Sequence, residues 1–133
     1  SGTGAGRGGG RVTAYALSLL AAAILAVEGA PPGHADGPLQ ITPAMARDYR
    51  QHTGRKADVH SRAGSVQVLA WYVRHYCHGA TVWEAAARWN GGPDGDTQAR
   101  RGSRRIADYA DRVEALFWDR AKRELREMEL AMR

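Results

Sequence analysis

Val12 to Val27 carries only Thr13 and Ser18 as clearly polar positions. Such a run predicts a helix buried on all sides rather than one with a solvated face. It is shorter than the roughly 20 apolar residues that a membrane span needs. A secretory signal is a competing reading, because Arg7 and Arg11 precede the run and Gly29-Ala30 could end it. The buried helix is preferred, since a cleaved signal would discard Glu28. Further along, Thr42-Pro43 predicts a helix start, with Thr as N-cap and Pro at the first helical position, and Gly54 predicts its stop.

After a polar loop from Arg55 to Ser61, Arg62 to His78 reads as a helix ended by Gly79. Val66, Leu69, Ala70, Val73, Tyr76 and Cys77 form its expected apolar stripe. Thr81 to Glu84 matches a capping box and opens a short helix to about Trp89, with Val82, Ala85, Ala86 and Trp89 facing inward. Asn90 to Gly95 predicts a loop, and 96–103 a polar connection. From Ser103, a last helix presents Ile106, Tyr109, Ala110, Val113, Leu116 and Phe117 to the core. Beyond Ala121 the pattern turns charged, with Arg120–Glu124 and Arg123–Glu127 as expected pairs. No alternating strand pattern is sustained. The expectation is therefore an all-α fold with at most a small irregular hairpin between Gly33 and Ile41. The organisation read from the chain is a flexible Gly-rich segment over 1–10, one domain over 11–121, and a charged helical tail over 122–133.

Composition adds little to the fold and something to the partners. The 133 residues with 44% hydrophobic content suffice for one domain with a core. Nineteen basic against 14 acidic residues leave +5, which favours an anionic partner such as nucleic acid, a membrane surface or a wall polymer. Cys77 is the single cysteine, so no internal disulfide forms. His75 and His78 flank it but supply too few ligands for zinc, and no metal or cofactor is expected.

The chemistry centres on Ile24 to Ile41, ILAVEGAPPGHADGPLQI. Glu28 closes an apolar run and is followed by a Pro/Gly loop. A carboxyl at the edge of an apolar helix is costly to ionise, so its pKa is expected to rise, as a neutral-pH general acid requires. The negative end of the helix dipole acts in the same direction. The plain alternative is a solvated helix-end residue. Asp36 is the acid nearest in sequence after Glu28. Asp48, Asp58 and Asp94 are further away, and nothing in the sequence aims them.

Three patterns occur in order. An apolar helix ends in Glu28. Gly37-Pro38-Leu39-Gln40-Ile41 precedes the next helix. Ala87-Arg88-Trp89-Asn90-Gly91-Gly92-Pro93 follows two more helices. Together with Tyr109, this order resembles the lysozyme-like superfamily, in particular its soluble lytic transglycosylase and goose-type lysozyme branch. The resemblance covers about Val12 to Phe117. It implies a peptidoglycan-cleaving glycosidase in which Glu28 is the acid and then the base. Gln40 would sit beside the cleft, Asn90 would face the sugar near the scissile bond, and Tyr109 would flank Glu28.

Two departures stand out. Glu28-Gly29-Ala30 replaces the family's Glu-Ser-Gly, and the Glu28–Gln40 interval is short. A single-Glu mechanism is expected, with the substrate's N-acetyl group or C6 hydroxyl replacing a second carboxylate. Rings stack on sugars, so Trp71, Trp83, Trp89 and Trp118 are candidates, with Trp89 first because it borders Asn90. Each of these aromatics also reads as core, as does Tyr109. Asn90 also reads as a left-handed helix cap, and Gln40 as a loop amide capping the Thr42 helix. The implied partner is the glycan strand of peptidoglycan, and the implied location is the periplasm, the wall or the outside of the cell. No membrane span is expected.

Two other readings remain. One is a catalytically inactive lysozyme-like scaffold that binds glycan or protein. The other is a basic helical domain that uses Arg100, Arg101, Arg104 and Arg105 on nucleic acid, although no aromatics interleave that cluster and nucleic acid is not the expected partner.

Overall fold

A computed structural model of the chain describes residues 12–29 and 37–133. The fold is all-α: six helices and no strand among the described residues. The helices are α1 (Ala14–Glu28), α2 (Pro43–Thr53), α3 (Arg62–Tyr76), α4 (Val82–Gly91), α5 (Gly95–Arg100) and α6 (Arg104–Ala131). The segment 1–10, Asp36 and the 33–36 part of the expected hairpin lie outside the described residues. Of the hairpin, 37–40 forms a turn.

The expected caps at Thr42 and Thr81 and the expected stop at Gly54 are made, and Thr13, Ser61 and Gly29 act in the same way at other helix ends. Thr13 accepts from the Ala16 amide, Thr42 from Met45 and Ser61 from Gly64. At Thr81 both halves of the capping box are made. Gly29 and Gly54 adopt left-handed conformations, which end α1 and α2. Glu28 therefore sits on the last turn of α1, where the chain must leave the helix.

The core is helix on helix. Leu20 and Ile24 of α1 are fully buried, with Leu19, Ala21 and Ala23 nearly so. α6 packs across α1, α4 and α5 and is the common wall of the domain. Its buried residues are Ile106, Ala110, Val113 and Phe117, while Tyr109 is half-buried and Leu116 is exposed.

Four expectations need correction. α3 buries Val68, Leu69, Tyr72 and Val73, whereas Val66 and Ala70 line an open cleft against α1. Its stripe is rotated because α2 and α4 flank it on the other side. α3 also ends at Tyr76, before Gly79. The predicted loop and connection over 90–103 contain the end of α4 and the whole of α5, whose Asp96 and Ala99 are buried. Finally, Arg123 pairs with Asp119 rather than Glu127, while Arg120–Glu124 forms as expected.

Candidate functional site

Glu28 points at α6. The Tyr109 hydroxyl donates to Glu28 Oε1 at 2.9 Å, closing a contact between residues 81 positions apart. Burial raises the Glu28 pKa from its ordinary 4.5, and the Tyr109 hydrogen bond offsets only part of the rise. Tyr109 is itself pushed far up, first by burial and then by the charge of Glu28, so its phenol stays protonated and remains a donor. The positive charge of Arg112, one turn further along α6, acts on Tyr109 in the opposite sense.

Asn90 is tied to the same helix. Arg105 Nη1 donates to Asn90 Oδ1 at 2.8 Å. Arg105 and Tyr109 are four residues apart on α6 and hence neighbours on one face, their Cβ atoms about 6 Å apart. Glu28 from α1 and Asn90 from α4 are thus held by adjacent turns of one rigid element. Asn90 is not a left-handed cap. It lies inside α4, and Gly92 carries the positive φ of 91°. With Oδ1 occupied by Arg105, its amide hydrogens remain as donors.

The Asn90 turn is braced from behind. Arg88 binds both oxygens of Asp96, at 3.2 and 3.0 Å, and donates to the Tyr76 carbonyl. Tyr72 donates to the Arg88 carbonyl at 2.7 Å. Burial pushes the Asp96 carboxyl up, but the Arg88 hydrogen bond and charge outweigh it, so the group sits below its ordinary 3.8. This network joins α3, α4 and α5 beneath the turn. Cys77 is packed there too, and burial pushes its thiol up to about 11, so it is an inert core residue rather than a nucleophile.

The other sequence candidates divide. Trp89 is 7% exposed and meets Tyr72 edge to face at 5.2 Å, so it is core and offers no open face to a sugar. Trp83 is fully enclosed and donates to Asp111 at 2.9 Å. Trp71 lies in a cleft between α2 and α3, and Trp118 is on the exposed surface of α6. Gln40 has a left-handed φ of 55° and an exposed side chain between the buried Leu39 and Ile41. It makes no direct hydrogen bond to Glu28, Tyr109 or Asn90, and the α2 cap is made by Thr42 itself. Asp36 is outside the described residues.

Sequence reading placed Arg105 only in the basic cluster, missing its bond to Asn90, and did not single out Arg112. Their spacing from Tyr109, four before and three after, places all three on one face of α6. That was the available signal. In the basic cluster, Arg100 is held by Glu84 at 2.9 Å and Asp96 at 3.4 Å and lies 5.2 Å from the centre of the Trp83 ring. Arg105 is held by Asn90. Half of the cluster is therefore engaged within the chain.

Cavity volume does not select the site. Clefts of about 630 Å³ (α1, α3 and α6) and about 610 Å³ (α2 and α3) both exclude Glu28. The Glu28–Tyr109 contact is preferred because there a half-buried carboxyl with a raised pKa meets a positioned donor, whereas the carboxyls of Glu84 and Asp96, paired with arginines, sit below their ordinary values. No group of three or more potential metal ligands occurs among the described residues. No helix among them is long and apolar enough to cross a membrane. No protein-family model, curated protein or solved structure matches the chain.

Proposed function

We propose that the chain is a peptidoglycan-cleaving glycosidase, a lytic transglycosylase or muramidase, that acts on the β-1,4 bond between N-acetylmuramic acid and N-acetylglucosamine. The observation that carries the reading is the half-buried Glu28 carboxyl, its pKa raised by burial and its Oε1 fixed by Tyr109. The helix-terminal Glu, the Gly-x-x-Gln-Ile turn and the Asn-Gly-Gly corner supply the family resemblance in support.

In this reading the neutral Glu28 gives its proton to the glycosidic oxygen as the C1–O bond breaks. The leaving sugar departs as an alcohol. The cationic C1 is met by the substrate's own N-acetyl oxygen or by its C6 hydroxyl. The Glu28 carboxylate then takes the proton of the attacking hydroxyl, from C6 or from water, and is restored. Tyr109 keeps Oε1 occupied, so Oε2 is the oxygen that exchanges the proton. Asn90, anchored through Arg105, would donate its amide hydrogens to the sugar. The site of action would be the periplasm, the wall or the extracellular medium.

The test is release of soluble fragments from purified peptidoglycan, read by mass spectrometry. Wild type is expected to release them, and Glu28→Gln to lose activity by at least about 10²-fold, the scale of general acid catalysis. A 1,6-anhydro end identifies the transglycosylase and a reducing end the hydrolase. Tyr109→Phe removes the hydrogen bond that lowers the Glu28 pKa, so its alkaline activity limb should move to higher pH. An inert wild type would leave the scaffold reading in place. Undiminished activity in Glu28→Gln would remove Glu28 from the mechanism.

A further inference from the structure

The apolar seam of α6 outlasts the body it packs on. Ile106, Ala110, Val113 and Phe117 are buried, and Ala121 still touches the core. Past that point an apolar stripe turned by roughly 60° from the buried face is bare: Leu125 is 56% exposed, Met128 55% and Met132 84%. Trp118, Ala121, Leu125, Met128 and Met132 follow one another at intervals of three, four, three and four. At 3.6 residues per turn they lie within about 80° of one another, while Leu130 falls on the opposite side. This is the a/d pattern of a two-stranded coiled coil carried through two heptads.

α1 does not cover the seam. It runs alongside α6 in the opposite direction, with Glu28 at Tyr109 and Leu17 and Ser18 sharing a cleft with Arg120 and Glu124. Its first residue, Ala14, is therefore passed by α6 near Glu124. Residues 1–11 contain glycine, small polar residues, two arginines and Ala5, with no side chain that could fill a Leu/Met seam.

We propose that this face is an interface with a second copy of the chain, packed antiparallel about a point between Leu125 and Met128. The charges beside the seam choose that arrangement. Lys122 and Glu129 occupy the e positions that face each other across an antiparallel pair. In an antiparallel pair a positions pack on d positions, so Leu125 meets Met128 of the second copy; this sets Lys122 beside Glu129 of the second copy, and the reciprocal pair forms by symmetry. Ala121 then meets Met132 of the second copy at both ends. The g-position Glu124 faces Ala131 of the second copy and carries Arg120 of its own helix at 3.5 Å. A parallel pair would instead set Glu124 against Glu129 of the second copy twice and forgo both Lys122–Glu129 attractions. It would also bring both helical bodies to the same end of the seam. The overlap from Ala121 to Met132 is about 17 Å, a small interface with an expected Kd of about 1–100 µM.

Sedimentation velocity on the full chain over a concentration series tests this. A reversible monomer–dimer equilibrium is expected, and Leu125→Glu should abolish it while far-UV circular dichroism stays helical. Lys122→Glu alone and Glu129→Lys alone should each weaken the dimer about tenfold, because each turns two attractions into two repulsions. The double exchange should restore it. A chain that stays monomeric to about 1 mM overturns the proposal, as does a dimer indifferent to Leu125→Glu. If Glu129→Lys strengthens the dimer while Lys122→Glu leaves it unchanged, the pairing is parallel and the proposal fails. Failure of the double exchange to rescue overturns the antiparallel register in the same way. Peptidoglycan cleavage plays no part in these readouts.

Discussion

Glu28 loses part of its water to the end of α1 and to Tyr109, and that loss has a pH signature. The folded-state pKa is raised above 4.5, so the native chain holds this proton more tightly than the unfolded chain does. The stability gained from this is complete below 4.5 and disappears as pH rises through the raised value. Above that raised value a charge is kept where the neutral acid is preferred. Glu28→Gln keeps the shape and an acceptor for Tyr109 while removing the charge. Its Tm on the alkaline side of that value should exceed that of wild type by about 1–3 °C, with the difference vanishing at about pH 4, as scanning calorimetry would show. The estimate is small because the carboxyl is only half-buried and water screens it. A more stable but inactive variant would fit a residue kept for chemistry.

At the scale of the element, α5 is the informative case. Gly91, Gly92, Pro93 and Gly95 all break regular structure by local propensity, and a six-residue helix has no stability of its own. It forms because its backbone lies against α4. A Cβ built on Gly95 would sit 2.1 Å from the Ala87 carbonyl oxygen, inside any tolerable contact. Gly95 is thus needed for close approach rather than for freedom to turn. Gly95→Ala should destabilise the domain by about 1–3 kcal/mol in denaturant unfolding, because neither backbone can yield without moving the Asn90 turn. The α3 stripe teaches the same point. Val66 and Val68 are equally apolar, and which one is buried depends on which helix lies alongside. The end signals at Thr42, Ser61, Thr81, Gly29 and Gly54 needed no such neighbour, because each is satisfied within its own turn.

At the scale of the molecule, a polar network complements the apolar core. Arg100 bridges Glu84 of α4 and Asp96 of its own helix, and Arg88 grips Asp96 from α4. Burial pushes the Glu84 carboxyl up, but the Thr81 amide and Arg100 outweigh it, and the group sits below its ordinary 4.5. Asp96 behaves likewise. Groups with depressed folded-state pKa values give stability that is present above their unfolded values and lost as pH falls through the depressed ones. The acid limb is therefore opposite in sign to that of Glu28. Arg100→Gln should lose about 0.5–1.5 kcal/mol at neutral pH, limited by partial exposure of the pairs. It should also begin acid unfolding at a higher pH than wild type, as followed by circular dichroism.

The sequence alone determined the all-α class, most helix ends and the choice of Glu28. Those features rest on local periodicity, on caps that close within a few residues, and on an acid abutting an apolar run. The sequence also named Tyr109 and Asn90, through the order of motifs. Only the tertiary structure decided that Tyr109 donates to Glu28, that Asn90 is held by Arg105 one turn away, and that Trp89 belongs to the core. A hydrogen bond across 81 positions depends on how α1 and α6 cross, and a tryptophan next to a turn reads the same whether its ring faces solvent or Tyr72. Local pattern fixes what each segment becomes, whereas contact between segments is a property of their packing, to which every helix contributes at once.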